Sequence, residues 1–225
     1  MINAPVFGGI SVARDFGSLY FRRRYAMLFY SLILTLVASP VFGALGFRGA
    51  VIDFLLAVNL AIGIVPVNPG PKRKHFAALI VVFCLARPIT AWLGHPVLSK
   101  VTLGFWTLLG LFAAGVAVKF AMRGVRIDSE HLCAALSAYL LAGIYFGLLY
   151  WVIEQVHPAS FTAAGGFTRT GALYFSFVTL ATLGFGDIVP SAEITRGLAI
   201  VEGVGGQLFL AVLVARLVSL YQKPA

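Results

Sequence analysis

Six long apolar segments, separated by short polar linkers, constrain the fold of this chain more than any other feature. A helix that crosses a bilayer needs about 20 apolar residues in succession, and the segments are close to that length or longer. Only 11% of the residues are charged, whereas soluble domains have about 25%. The sequence therefore predicts an all-α membrane protein with six transmembrane helices. The predicted spans are residues 25–45, 50–67, 76–93, 101–122, 131–154 and 193–221.

Lysine and arginine residues predict the orientation of these spans. If the N-terminus is cytoplasmic, twelve of the 17 basic residues lie on the cytoplasmic side, four lie outside, and Arg87 lies within the third span. This bias follows the positive-inside rule, so both termini are predicted to be cytoplasmic. Because the basic residues flank the spans, topology explains the net charge of +9 better than nucleic-acid binding does.

A short stretch between the fifth and sixth spans carries glycine at alternate positions. It follows an apolar segment, residues 168–181, that is too short to cross a bilayer, and consists of Thr182, Leu183, Gly184, Phe185, Gly186 and Asp187. Successive backbone carbonyls can face one axis only if the backbone alternates in hand. Glycine reaches positive φ without a steric penalty, and Gly184 and Gly186 stand where this alternation needs them. The carbonyls of residues 182–185, with the Thr182 hydroxyl, are predicted to form stacked oxygen rings that replace the hydration shell of a cation.

This arrangement resembles the pore loop of potassium channels, whose filter reads Thr-Val-Gly-Tyr-Gly. The resemblance covers about residues 131–221 and implies a re-entrant pore half-helix and a selectivity filter, residues 182–186, between the fifth and sixth spans. One chain supplies one wall of the pore and no second copy of the motif occurs, so the resemblance implies a homotetramer. It also implies that K+ binds the backbone carbonyls of Thr182, Leu183, Gly184 and Phe185.

Residues next to the filter carry predicted supporting roles. Asp187, Tyr174 and Thr179 are predicted to support it, with the Tyr174 hydroxyl donating to Asp187. Phe185 stands where the family usually has tyrosine, so a hydroxyl bond from the filter to the half-helix is missing. We therefore expect K+ selectivity from a filter that inactivates or leaks more readily than usual.

Two polar residues of the sixth span are candidates for roles in the cavity and in gating. Gln207 is predicted to face the central cavity, where four amides would help to solvate an ion. Glu202 is an acid within the membrane, and such acids are costly and often functional. It is expected either to bond to half-helix hydroxyls such as Thr179, as a structural contact, or to be protonated and titrate during gating.

Glycines in the sixth span allow two interpretations. Gly206 falls where the family often has a hinge glycine in its inner helix, and close helix packing is the alternative. For Gly203 and Gly205, packing is the favoured interpretation.

The first four spans lack the pattern of a voltage sensor, which needs several arginines every third residue within the bilayer. Lys119, Arg123 and Arg126 share a helical face only at the inner end of the fourth span. Weak or no voltage dependence is therefore predicted. Asp53 in the second span and Arg87 in the third reach similar depth and are predicted to form a structural ion pair.

The predicted organisation is a cytoplasmic segment (1–24), a four-span membrane domain (25–130), a pore domain (131–221) and a cytoplasmic tail (222–225). The tails are expected to be too short for a soluble regulatory domain. With no nucleophile–base grouping or metal-ligand cluster in the sequence, we predict no enzyme activity and no cofactor besides the transported ion. The predicted function is passive K+ conduction in a plasma or bacterial inner membrane. A poorly selective cation channel and a non-conducting scaffold or regulatory subunit are the alternatives.

Overall fold

A computed structural model describes residues 9–44, 50–64, 90, 96–123 and 128–221. Almost all of these residues are helical. The helices and strands are α1 (Gly9–Ala44), α2 (Ala50–Ile64), α3 (Pro96–Ala121), α4 (Ser129–Val156), β1 (Phe161–Ala163), α5 (Arg169–Leu180), β2 (Ile188–Pro190) and α6 (Glu193–Tyr221). Apart from Thr90, the predicted third span lies outside the described residues.

Three of the described helices, α3, α4 and α6, are long and apolar enough to cross a membrane. A fourth helix, α2, is apolar but shorter. The prediction of a mostly helical membrane protein is confirmed. The helix ends lie within a few residues of those predicted for the fourth, fifth and sixth spans.

Short polar side chains start two of the helices. The Asp128 carboxylate accepts from the His131 amide at 3.0 Å and caps α4. The Thr168 hydroxyl accepts from the Gly171 amide at 3.0 Å and caps α5 in the same way. Each side chain satisfies an amide that has no acceptor within its helix. The His131 amide and ring, both hydrogen-bonded to Asp128, hold the pKa of that carboxyl below its usual range.

The first helix begins earlier than predicted and is kinked. It starts at Gly9, before the expected span, and Arg23 has non-helical angles of φ −128° and ψ 22°. Just after the kink, the amides of Tyr25 and Ala26 donate to the Glu130 carboxylate at 3.0 and 3.4 Å. Because the first amides of a helical segment lack intrahelical acceptors, Glu130 satisfies them and joins α1 to α4.

The main core lies where α4 packs against α1 and α3. Trp106 of α3 and Tyr145 of α4 are fully buried there. Gly110 allows the two helices to approach, since a Cβ at this position would lie 2.2 Å from the Tyr145 ring. The same helix α4 also packs against α5 and α6, so it connects the N-terminal helices to the predicted pore elements.

Two three-residue strands pair in antiparallel fashion on either side of α5. Phe161 lies opposite Pro190, and Ala163 lies opposite Ile188. The sequence alone predicts a loop over residues 155–167. Strands this short show no alternation long enough to be recognised from sequence.

Candidate functional site in the α5–α6 region

The predicted filter leaves directly from the C-terminal end of α5. The Thr182 amide donates to the Thr179 carbonyl at 3.0 Å, and the Leu183 amide donates to the Val178 carbonyl at 2.9 Å. Carbonyls in the last turn of a helix lack intrahelical donors, and here the first residues of the stretch supply them. Thr179, one of the predicted supporting residues, thus holds the start of the stretch through its backbone.

The backbone of the stretch alternates in hand. Thr182, Gly184 and Gly186 have positive φ angles of 57°, 58° and 78°, whereas Leu183 and Phe185 between them do not. Positive φ was predicted at the two glycines but not at Thr182, where such a conformation is uncommon for a residue with a side chain. A Cβ at Gly184 or Gly186 would meet no atom within 4 Å. The need for glycine at these positions is therefore one of backbone conformation.

Residues 181–187 are all exposed in the single chain. Leu183 is 57% and Phe185 is 64% exposed, although both are large and apolar. In a bilayer, non-helical backbone is tolerated only where protein covers it or where it lines a water-filled cavity. The exposed stretch therefore needs surroundings that one chain does not supply.

Contacts behind the stretch involve Tyr174 and Asp187. The Tyr174 hydroxyl is hydrogen-bonded to the Asp187 carboxylate. The ring of Tyr174 also stacks with that of Phe185, with centroids 6.4 Å apart and an interplanar angle of 9°. Tyr174 thus contacts the stretch through both its hydroxyl and its ring.

Two polar side chains reach the junction between α5 and the stretch from neighbouring helices. Gln207 of α6 is exposed, and its Nε2 donates to the Thr182 hydroxyl at 3.5 Å. Tyr139 of α4 donates to the Leu180 carbonyl at 3.2 Å. Both helices that flank α5 therefore bond to its C-terminal end.

Glu202 lies buried between α4, α5 and α6, with 2% of its surface exposed. Tyr150 of α4 donates to Glu202 Oε2 at 2.7 Å. The other carboxyl oxygen, Oε1, is hydrogen-bonded to the Ser176 hydroxyl of α5. The partner is thus a hydroxyl of α5, as one of the two expectations for Glu202 had it, but it is Ser176 and not the example Thr179. Ser176 lies one helical turn earlier, on the side of α5 that packs against α4 and α6.

Gly206 is the most tightly packed of the four α6 glycines. A Cβ there would lie 2.6 Å from Leu180 Cδ1 and 3.2 Å from the Leu180 carbonyl oxygen. At Gly203 a Cβ would be in ordinary contact, 3.7 Å from the Thr179 oxygen, and at Gly205 it would meet nothing within 4 Å. Packing within the chain therefore accounts for glycine at position 206, whereas the described part of the chain makes no such contact at Gly205.

Residues 157–163 form a support beside α5 that was not predicted from the sequence. The Ser160 carbonyl accepts from the amides of Ser191 and Ala192 at 2.8 and 3.2 Å, and from the Thr195 hydroxyl at 3.1 Å. The Glu154 carboxylate accepts from two amides of the same segment, at residues 159 and 161. These bonds join the end of α4 to the start of α6.

An ion pair connects the start of α5 to the N-terminal helices. Arg169 Nη2 lies 2.6 Å from Asp53 Oδ1 of α2. The partner predicted for Asp53, Arg87, lies outside the described residues. The pairing of Arg169 was missed because no local pattern links two residues 116 positions apart.

Comparison with known proteins agrees with this geometry. A family model described as "Ion channel" matches residues 135–223, which include α5, the stretch and nearly all of α6. Two relatives that align over about 90 residues are both potassium channels. Residues 135–223 are therefore similar to ion channels, and to potassium channels among them.

Relatives that match this region include bacterial and plant proteins. The inward rectifier potassium channel Kirbac3.1 of Paramagnetospirillum magnetotacticum is 32% identical over 90 residues, which are 38% of this chain and 28% of the relative. Two-pore potassium channel 3 of Arabidopsis thaliana is 33% identical over 92 residues, 38% of this chain and 18% of the relative. Two-pore potassium channel 4 of the same plant is 52% identical over 48 residues, 21% and 17% of the two chains. The chain thus spans less than a third of each of these relatives, and no solved structure matches it.

Proposed function

We propose that the protein is a K+-selective channel that conducts passively through a pore formed by four copies of the chain. The observation that carries this proposal is the alternation of hand at Thr182, Gly184 and Gly186. Such a backbone can turn successive carbonyl oxygens toward one axis, and rings of carbonyls can replace the hydration shell of K+. The carbonyls of residues 182–185 are the proposed K+ ligands.

The single chain presents surfaces that suit assembly. The most apolar window of α6 is only 17% buried, whereas those of α3 and α4 are 44% and 56% buried. Because α6 and the exposed stretch lie side by side, four copies would cover both around one axis. The proposed assembly is a homotetramer of six-span subunits, with α5 as a re-entrant half-helix whose negative C-terminal end favours a cation.

Weak or absent voltage dependence is part of the proposal. Between Lys100 near one end of α3 and Lys119 near the other, this helix has no charged residue. A voltage sensor needs several arginines within the membrane. The proposed orientation has both termini in the cytoplasm.

A poorly selective cation channel is the second candidate function. Phe185 favours it, because its ring stacks with Tyr174 but brings no hydroxyl that would brace the filter. A weakly braced filter would hold its carbonyl rings less firmly at the spacing that distinguishes K+ from Na+.

Reversal potentials in planar bilayers test the proposal, with K+ on one side and Na+ on the other. Reversal near the K+ equilibrium potential is expected, with a tetramer in native mass spectra. Reversal near zero with current flowing would indicate the poorly selective channel, and tetramers without current would favour a scaffold.

Two matched glycine variants link the current to the filter. Gly184→Ala should abolish K+ current, because alanine strongly disfavours a φ of 58°. Gly165→Ala, where a Cβ has open space and φ is not positive, should leave the current unchanged. Equal effects of the two substitutions would contradict the assignment of the filter.

A further inference from the structure

Three oxygen–oxygen contacts form a continuous chain behind α5. Tyr150 contacts Glu202 Oε2 at 2.7 Å, Glu202 Oε1 contacts the Ser176 hydroxyl, and Ser176 contacts the Gly143 carbonyl oxygen at 2.7 Å. The side chains of Tyr150, Ser176 and Glu202 are all at most 2% exposed. This series of contacts begins at Tyr150 and ends at Gly143, both on α4, and includes one residue each of α6 and α5.

Each of these contacts needs one proton between its two oxygens, so the set needs three. The tyrosine and serine hydroxyls supply one each, and the Gly143 carbonyl can only accept. If Glu202 were ionised, it would also only accept. One of the three contacts would then bring two oxygens together with no proton between them. A neutral carboxylic acid supplies the third proton and completes the set.

The surroundings of Glu202 offer no charge to compensate an ionised carboxylate. The ion pairs found among the described residues do not include it. Tyr139 and Tyr150 of α4 are its titratable neighbours, and α3 presents only Ala114, Gly115 and Val118 to the cavity of about 270 Å³ that Glu202 borders. Burying a charge without a partner is costly, so the neutral acid is favoured on this ground as well.

We propose that Glu202 is a neutral carboxylic acid in the folded channel and that its proton fixes α5 between α4 and α6. Tyr150 donates to the carboxyl C=O, the carboxyl O–H donates to Ser176, and Ser176 donates to the Gly143 carbonyl. Glu202 is thus a positioning residue for the half-helix that bears the filter. Loss of its proton at alkaline pH breaks one contact and loosens α5. This role rests on the proposed channel function, whereas the protonation state does not.

Infrared spectroscopy of the full chain in lipid detects the proton directly. At neutral pH, the wild-type spectrum should contain the carbonyl band of a protonated carboxylic acid, and Glu202→Gln should lose it. Glu193→Gln, the same change at an exposed position of the same helix, should keep the band. Absence of the band from the wild-type spectrum, or its persistence in Glu202→Gln, would overturn the proposal.

Tyr150→Phe gives a second measurement that does not depend on the folding of Glu202→Gln. The carboxyl C=O loses its donor in this variant, so the band should remain and move to higher frequency. An unmoved band would contradict the proposed chain of donors.

Current measured against pH tests the positioning role. Wild-type K+ current should fall at alkaline pH, whereas Glu202→Gln, whose amide donates to Ser176 and whose carbonyl accepts from Tyr150 at any pH, should conduct without that fall. An equal alkaline fall in both would refute the positioning role. If the infrared band is present but neither the wild type nor Glu202→Gln carries current, the proposed function fails while the proposed protonation state stands.

Discussion

Arg169 Nη2 donates to Asp53 Oδ1 over 2.6 Å, which joins the first residue of α5 to α2. The two side chains are 19% and 7% exposed, respectively. Removing one partner of a buried ion pair leaves the other charge uncompensated, which costs about 3 kcal/mol or more. The N-terminal helices therefore help to hold α5 in place.

Asp53→Asn should lower the free energy of unfolding by about 3 kcal/mol, because it removes the carboxylate that compensates the Arg169 charge. Arg169→Gln should also lower it, because the ion pair with Asp53 is lost. The double variant should lose clearly less than the sum, with a coupling energy of about 1–3 kcal/mol. Unfolding of the purified protein in detergent measures all three. Arg123→Gln, at an exposed position, is the control and should change stability by less than about 0.5 kcal/mol. Strict additivity of the two changes would show that the contact contributes nothing.

Tyr174→Phe should speed the decay of K+ current about fivefold, which corresponds to the loss of one hydrogen bond of about 1 kcal/mol. The reason is that the hydroxyl bonded to Asp187 disappears while the ring that stacks with Phe185 remains. Tyr30→Phe, at a tyrosine that is 69% exposed on α1, should leave the decay unchanged. If the two variants decayed alike, the Tyr174 hydroxyl would have no part in supporting the filter.

The cap at Asp128 predicts a pH-dependent contribution to stability. Its carboxylate accepts from the His131 amide and ring, and these bonds lower its pKa in the folded state. A lowered folded pKa stabilises the protein above the unfolded pKa, and this contribution is lost as the pH falls through the folded pKa. Asp128→Ala should cost about 0.5–1 kcal/mol at neutral pH, near the lower end because the site is exposed.

Asp128→Asn is the matched variant, since asparagine caps helices as well as aspartate does and carries no charge. It should keep the stability at neutral pH and reduce the loss on acidification. Unfolding measured between neutral and acidic pH distinguishes the two variants. Identical acid dependence in wild type and Asp128→Asn would rule out Asp128 as a source of that dependence.

Features set by neighbouring residues could be predicted from the sequence. Apolar segment length predicted the helices α3, α4 and α6. The glycine spacing predicted positive φ at Gly184 and Gly186. Each of these depends on propensities within one or two turns, which the sequence carries directly.

Contacts between distant segments could not be predicted in this way. Whether Glu202 reaches Ser176 or Thr179 depends on how α6 is rotated relative to α5, and the apolar faces of membrane helices do not determine that rotation from sequence. The pair Asp53–Arg169 depends likewise on the placement of α2 beside α5. Positive φ at Thr182 follows from the turn that the chain makes after α5. No residue type in this segment predicts that turn.

Gly206→Ala and Gly205→Ala separate close packing from the general flexibility of glycine in α6. A Cβ at Gly206 would lie 2.6 Å from Leu180 Cδ1 and 3.2 Å from the Leu180 oxygen, whereas at Gly205 it would meet no atom of the same chain within 4 Å. Overpacking typically costs about 1–3 kcal/mol, so Gly206→Ala should lower thermal stability and displace the end of α5, with reduced K+ current. Gly205→Ala changes helix propensity in the same way without that clash, and should keep stability at or above the wild-type value. Equal loss of current from both substitutions, with stability unchanged, would favour a hinge over packing at this part of α6.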